Sequence, residues 1–200
     1  MNNNKENSTS EKRSFRDNIL EYLHDLIYIL TAVVLLCLLC FRVVVVTGSS
    51  MYNTLIDGDY LLLISSTFYQ HPQQGDIIVA SKDSFDDGKP IVKRVIATEG
   101  QFVDIDFETG TVYVDGVALD EAYTYTKTTL DEGVSFPLRV ETGHVFVMGD
   151  NRNSSKDSRS PEIGQVDHRE ILGKAIFLFM PGTDGGNDPL DFSRIGVLGK

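Results

Sequence analysis

Phe102–Leu119 reads FVDIDFETGTVYVDGVAL. Apolar and polar residues alternate along it, with breaks at Glu108–Gly110 and at Asp115–Gly116. A period of two belongs to a strand with one buried face. Asp-Gly between two such runs signals a tight hairpin, because a primed turn needs positive φ at both central positions. The stretch therefore predicts consecutive antiparallel strands and sets the fold class as mainly β. Outward from it, short apolar runs recur between turn signals. They are Tyr60–Ser65, Asp76–Ala80, Ile91–Ala97, Gln101–Phe107, Thr111–Val114, His144–Met148 and Ile171–Phe179. Pro161–Glu170 gives a weak hint of a short helix. No period of 20–50 residues repeats, which excludes a solenoid. Residues 182–200, GTDGGNDPLDFSRIGVLGK, read as a Gly/Asp-rich loop with a frayed end. The acids there fit no EF-hand spacing.

The other end of the chain differs. Leu26–Phe41 reads LIYILTAVVLLCLLCF, without a charge. As a helix it spans about 24 Å, and with Arg42 and Val43–Val46 about 31 Å, close to the hydrocarbon thickness of a bilayer. Arg42 can extend its head to the interface while its stem stays in lipid. The anchor is read as residues 26–46, although the four valines serve equally as the first strand of the next domain. Lys5, Lys12, Arg13 and Arg16 precede the span. The positive-inside rule then keeps residues 1–25 in the cytoplasm and puts the rest outside. A cleaved signal peptide is the rival reading, but no A-x-A-like site follows FRVVVV. Cys37 and Cys40, the two cysteines, lie inside the apolar run with no His or acid beside them. They read as small apolar side chains of a membrane helix rather than a redox or metal motif.

The formal net charge is -11. Residues 1–46 carry equal numbers of acids and bases, so the acidic excess lies in residues 47–200. Such a domain repels phosphate backbones, and nucleic acid is excluded as its partner.

Four segments hold residues capable of chemistry: Gly48–Leu55 (GSSMYNTL), Lys93–Ala97 (KRVIA), Met148–Arg152 (MGDNR) and Ser155–Arg159 (SKDSR). Each alone reads equally as a polar loop or strand end. Together they raise the question of how a serine is activated, since a hydroxyl needs an adjacent base. Histidine is the usual base. His24 precedes the span, and His71 and His168 sit in polar surroundings, while His144 at a strand start stays open. No G-x-S-x-G elbow surrounds a serine, and Asn53 stands where an S-x-x-K motif from Ser50 would need lysine. Lysine serves as base only when neutral, and burial drives it that way. Ile91, Val92, Val95 and Ile96 flank Lys93, and the next carboxylate is Glu99. On an alternating strand Lys93 faces inward with Ile91 and Val95, while Arg94 points outward.

In order and spacing, the four segments resemble the boxes of bacterial type I signal peptidases. GSSMYNTL is similar to the nucleophile box, whose serine before methionine attacks, here Ser50. KRVIATEG is similar to the lysine box, with Lys93 as base. GDNRNSSKDSR is similar to the box that supports the dyad. The resemblance implies a hydrogen bond from Ser155 to the lysine, and salt bridges among Asp150, Arg94, Asp157 and Arg159. It also implies a substrate-binding role for Met51. GQVDHREILGKAIFLFMP resembles the last core strand region, and the likeness runs from the anchor to about Pro181. Asn53 replaces a usual proline, Asn153 and Ser154 replace a common Asp and Asn, and Gly48 stands where some relatives carry a serine that donates to the oxyanion.

The resemblance implies antiparallel β-sheets of the signal peptidase/LexA-like fold behind a single transmembrane helix. The organisation is 1–25 cytoplasmic, 26–46 anchor, 47–181 catalytic and 182–200 tail. It further implies a single-pass protein of a bacterial plasma membrane that cleaves signal peptides from secreted pre-proteins. The partners are those signal peptides and the lipid bilayer, with a monomer and no cofactor or metal expected. The rivals are a dedicated processing peptidase for a pilin-like substrate, an inactive membrane-tethered β module, and a LexA-like self-cleaving repressor. The last would need a DNA-binding domain and no anchor.

Overall fold

The computed structural model describes residues 3–82, 85–183 and 189–198, and only the backbone of residues 3–17. The chain divides into two compact units, residues 1–40 and 41–200.

The first unit is one helix, α1 (Asn3–Cys40). Neither glycine nor proline occurs before Gly48, so nothing stops the helix inside the polar leader. Its segment Asn18–Cys40 is long and apolar enough to cross a membrane, at about 34 Å. Cys37 and Cys40 are free thiols on this helix.

The helical part of the expected 26–46 anchor stops short. Phe41–Val45 is strand β1, which pairs with β2 (Tyr60–Ser65) from Phe41↔Ile64 to Val45↔Tyr60. Branched Cβ atoms favour a pleated strand over a helix. The ladder to β2 then decides for the valines.

The remaining strands are β3 (Ile77–Ala80), β4 (Ile91–Thr98), β5 (Phe102–Asp106), β6 (Thr111–Val114), β7 (Val117–Ala118), β8 (Leu138–Arg139), β9 (His144–Met148), β10 (Val166–Asp167), β11 (Ile171–Met180) and β12 (Gly196–Val197). One antiparallel sheet has the order β1-β2-β11-β3-β4-β9-β10, with β12 on β11, and the other runs β7-β6-β5-β8. The opening stretch forms β5, β6 and β7; a turn over residues 107–110 joins the first two, and Asp115 and Gly116, whose φ values are +51° and +79°, join the last two. Its alternation has a direct cause. Val103, Ile105, Val112 and Val114 face Ile96, Phe146 and Met148 of the larger sheet, and each such side chain contributes about 1.5–3 kcal/mol by leaving water.

A second cluster joins Met51, Leu55, Leu61, Leu63, Val79 and Leu178. A third joins Ile78, Val95, Val147, Ile163 and Val166. β4 lies between neighbours on both edges and under cover on both faces, so every residue from Val92 to Ala97 is buried.

Two further expectations are corrected. Within Pro161–Glu170 the described elements are β10 and one 3-10 turn, His168–Glu170, capped by Asp167. The tail after residue 182 also carries structure. Residues 184–188 lie outside the described residues, but Phe192–Arg194 is a 3-10 turn and β12 pairs with β11 at Phe177↔Val197. Arg194 grips the buried Asp59 at 2.7 and 2.8 Å, which ties this segment to the body of the unit.

Candidate active site

Ser50 sits on the loop between β1 and β2. The loop is closed at its base by Val46 N–H to Asp59 O (2.8 Å) and Gly58 N–H to Val46 O (2.9 Å). Buried Met51 and Leu55 root it in the core. Gly48, at φ +87°, donates its N–H to Asp57 Oδ1 at 2.7 Å; a side chain there would strain the turn. The Ser50 carbonyl accepts from Asn151 N at 3.0 Å, and Asn151 Nδ2 donates to Ser49 O at 3.1 Å. The loop is thus pinned from the third segment, roughly a hundred residues away in sequence.

Lys93 Nζ donates to Ser50 Oγ at 2.7 Å, and Lys93 is 4% exposed. Burial pushes its pKa down to about 8. The negative charges of Asp157, Glu132 and Asp150 oppose that fall, while the Arg159 guanidinium adds to it. Loss of hydration is the leading cause, because a buried ammonium gives up water that no protein group fully replaces.

Arg94 does not point outward. It occupies the opposite face of β4 from Lys93, but that face is covered and the side chain is 2% exposed. Its guanidinium meets both oxygens of Asp150 at 2.8 and 2.6 Å and lies 4.0 Å from the Tyr123 ring centroid. Thr54 Oγ1 donates to the same carboxylate at 2.5 Å. Asp150 therefore joins β4 to the Ser50 loop. Arg152, fully buried, pairs with Glu121 at 2.5 and 3.0 Å and donates to Gly149 O at 3.1 Å. Asn153 Oδ1 accepts from Thr129 N and Leu130 N. These contacts clasp the strap 119–130 against the site.

Ser155 donates to Asp157 Oδ2 at 2.8 Å rather than bonding Lys93. The carboxylate is the stronger acceptor, and the hydrogen bond of the Lys93 amine is with Ser50. Asp157 also accepts from Gly149 N at 3.0 Å and holds Arg159 through Nε and Nη2, both at 2.8 Å. A Cβ on Gly149 would overlap Ser155 Oγ and Ser50 O. His144, the open candidate for base, lies elsewhere: its Nδ1 meets Thr142 O at 3.0 Å and its Nε2 is 4.0 Å from Asp167.

A groove of about 370 Å³ opens beside Ser50 and Lys93. Val44, Val46, Met51, Phe85, Pro90 and Ile91 are among its lining. Met51 is only 1% exposed, so it closes the floor. The lining is largely apolar, with Val44 and Val45 of β1 and Ile91–Lys93 of β4 along its border.

Sequence reasoning missed Thr54, Glu121, Tyr123 and Glu132 as parts of this assembly, and gave Gly149 no role. Thr54 and Gly149 lie inside quoted segments and were in reach. Glu121, Tyr123 and Glu132 sit in a stretch with no strand pattern, and their sequence carries no signal.

A family model described as signal peptidase, peptidase S26, matches residues 19–180. The chain is similar to "Probable signal peptidase I-1" of Synechocystis sp., 38% identical over 79% of this chain and 82% of that one. It is similar to signal peptidase I of Bacillus amyloliquefaciens, 35% identical over 72% and 76%. It is also similar to signal peptidase I T of Bacillus subtilis, 32% identical over 88% and 94%.

Proposed function

Because the chain belongs to the signal peptidase family, peptidase S26, and is a serine endopeptidase of that family, we propose that it cleaves signal peptides from membrane-held pre-proteins with Ser50 as nucleophile and Lys93 as general base. The observation that carries the reading is the 2.7 Å contact between the Ser50 hydroxyl and a lysine amine buried to 4% exposure. A lysine kept near neutrality at physiological pH can take a hydroxyl proton, which an ordinary surface lysine cannot.

In the first step Ser50 Oγ attacks the scissile carbonyl carbon and its proton passes to Lys93 Nζ. The C–N bond breaks, the proton goes to the leaving amine, and an acyl ester remains on Ser50. Water, deprotonated by Lys93, then hydrolyses the ester and returns the serine. Charge that develops on the carbonyl oxygen meets the backbone N–H of Ser50. Arg94–Asp150–Thr54 and Arg159–Asp157–Ser155 act as positioning pairs around the dyad. The apolar groove receives the extended segment before the scissile bond, with main-chain hydrogen bonds at the strand edge for affinity and side-chain pockets for selection.

The reading includes a bilayer. Asn18–Cys40 is long and apolar enough to span one. The basic leader favours a cytoplasmic N-terminus and an extracytoplasmic second unit. Phe41, Val43 and Val45 of β1, and Tyr60, Phe179 and Met180 of the strands beyond it, are exposed apolar side chains. Such a patch suits a lipid surface better than water.

The test is cleavage of a pre-protein by the full chain in detergent micelles. Ser50→Ala and Lys93→Ala are each expected to abolish it while circular dichroism stays that of the parent. Retained cleavage in either variant sinks the dyad.

A further inference from the structure

Arg94 spends all three guanidinium nitrogens in hydrogen bonds. Nε and Nη2 donate to Asp150 at 2.8 and 2.6 Å, and Nη1 donates to Gly75 O at 3.0 Å. Bonds from a planar guanidinium resist sliding within its own plane. They resist tilting out of it far less, because a tilt bends the bonds before it lengthens them. What restrains the tilt must lie on the face of the group. The Tyr123 ring covers that face, with its centroid 4.0 Å from Arg94 Cζ.

Tyr123 has a second cation beside it, since Arg152 Cζ lies 5.9 Å from the same centroid. Among the described residues, these are the two arginines with a ring over them, and they share it. Their side chains are 2% and 1% exposed. Attraction of a cation to a ring face is strongest where water is excluded. The ring is also held at its far end. Its hydroxyl donates to Glu121 Oε1 at 3.1 Å, and Glu121 pairs with Arg152. Burial and the Glu121 charge push the phenol pKa up, so the ring stays neutral. Two residues on, Tyr125 N donates to Asp150 O at 3.0 Å, and the Tyr125 ring packs edge-on against Tyr52 at 4.7 Å. Tyr123 is thus fixed although no strand lies between Ala118 and Leu138.

The orientation of Arg94 reaches the nucleophile. Asp150 takes both Arg94 bonds and also accepts from Thr54 Oγ1 at 2.5 Å. Thr54 stands four residues after Ser50 on the same loop. On the Ser50–Lys93 reading above, we propose that Tyr123 is a positioning residue of the catalytic site, whose ring face fixes the plane of the Arg94 guanidinium and, through Asp150 and Thr54, the Ser50 loop. It lies outside the lining of the substrate groove, so it acts on the rate rather than on binding.

The experiment measures kcat and KM separately for pre-protein cleavage by the full chain in detergent. Tyr123→Leu keeps apolar bulk and loses the ring. Its kcat is expected to fall roughly tenfold with KM unchanged, part of the roughly hundredfold loss that a 1 Å displacement brings. Tyr123→Phe keeps the ring and is expected to recover most of that loss. Phenylalanines carrying one, two and three ring fluorines at position 123 then separate attraction from packing. Fluorine withdraws charge from the ring face with little change of shape, so kcat should fall stepwise along the series. A ring that only fills space gives a flat series, and that result overturns the proposal. A folded Tyr123→Phe protein as slow as Tyr123→Leu overturns it too. Thr54→Val tests the route. Combined with Tyr123→Leu it should lose little beyond the worse single variant, whereas losses that multiply overturn the route. Should Tyr123→Leu not fold, the fluorinated series decides alone. Cleavage surviving in Lys93→Ala would sink the dyad itself, an outcome distinct from any result at Tyr123.

Discussion

The Ser155 hydroxyl occupies the place where a side chain on Gly149 would stand, and the Ser50 carbonyl oxygen touches the same point. Glycine is thus required at the end of β9 by proximity, not by an unusual φ. Gly149→Ala has no room to relax, because one of the two obstacles is backbone. Overpacking of this kind costs about 1–3 kcal/mol, and a displacement near 1 Å can lower a rate about a hundredfold. Melting and pre-protein cleavage measured on Gly149→Ala should both fall. A rate close to the parent would show that the loop yields.

The pH dependence follows from Lys93. With its folded pKa at about 8, the neutral amine grows tenfold per pH unit below that value and saturates above it. The cleavage rate should therefore rise to a plateau just above pH 8. A rise continuing to pH 10 would mean an ordinary lysine. Stability has the same sign. The folded-state pKa lies below the ordinary lysine value of 10.5, so between the two the unfolded chain binds more protons and stability increases with pH.

Lys93→Met tests the burial cost directly. Methionine fills similar volume without a charge to desolvate. The variant should be inactive yet melt higher at pH 7, by about 1–3 kcal/mol in stability, a trade typical of functional sites. A lower melting temperature would show that the Lys93–Ser50 hydrogen bond outweighs the desolvation.

Glu121→Ala leaves the guanidinium of Arg152, 1% exposed, without its carboxylate. Breaking a buried pair on one side costs about 3–5 kcal/mol. Urea midpoints should fall accordingly, and the loss should extend to activity because Arg152 also holds Gly149 O. A change within half that range would show that water reaches Arg152.

Arg194→Ala removes two of the bonds to buried Asp59, leaving those from Ile56 N and Gly182 N at 2.8 Å. A hydrogen bond to a charged group contributes about 1.5–3 kcal/mol. Because Asp59 closes the Ser50 loop, thermal melting and the cleavage rate should drop together. An unaffected rate would separate the C-terminal segment from the site.

Much of the fold was legible because its cause is local. The alternation in Phe102–Leu119 is a one-sided burial pattern, and Asp115–Gly116 is a turn that few other dipeptides make. The apolar residues of Ile91–Ala97, on either side of Lys93 and Arg94, marked a strand. The same reasoning failed for Arg94, because alternation tells which side a residue takes but not whether that side meets water. It failed for the valines after Arg42, where helix and strand are both acceptable until β2 supplies a ladder. It failed also for residues 189–198, whose order comes from Asp59 and β11 rather than from their own composition.

By itself the sequence determined the β class, the apolar span and the four segments that hold Ser50, Lys93, Asp150 and Asp157, since each depends on spacing along the chain. Only the tertiary structure decided that Lys93 Nζ meets Ser50 Oγ across 43 residues, that Ser155 turns to Asp157, and that Glu132 stands among these charges. Those facts depend on which surfaces exclude water together. Desolvation belongs to the packed assembly and is carried by no residue alone.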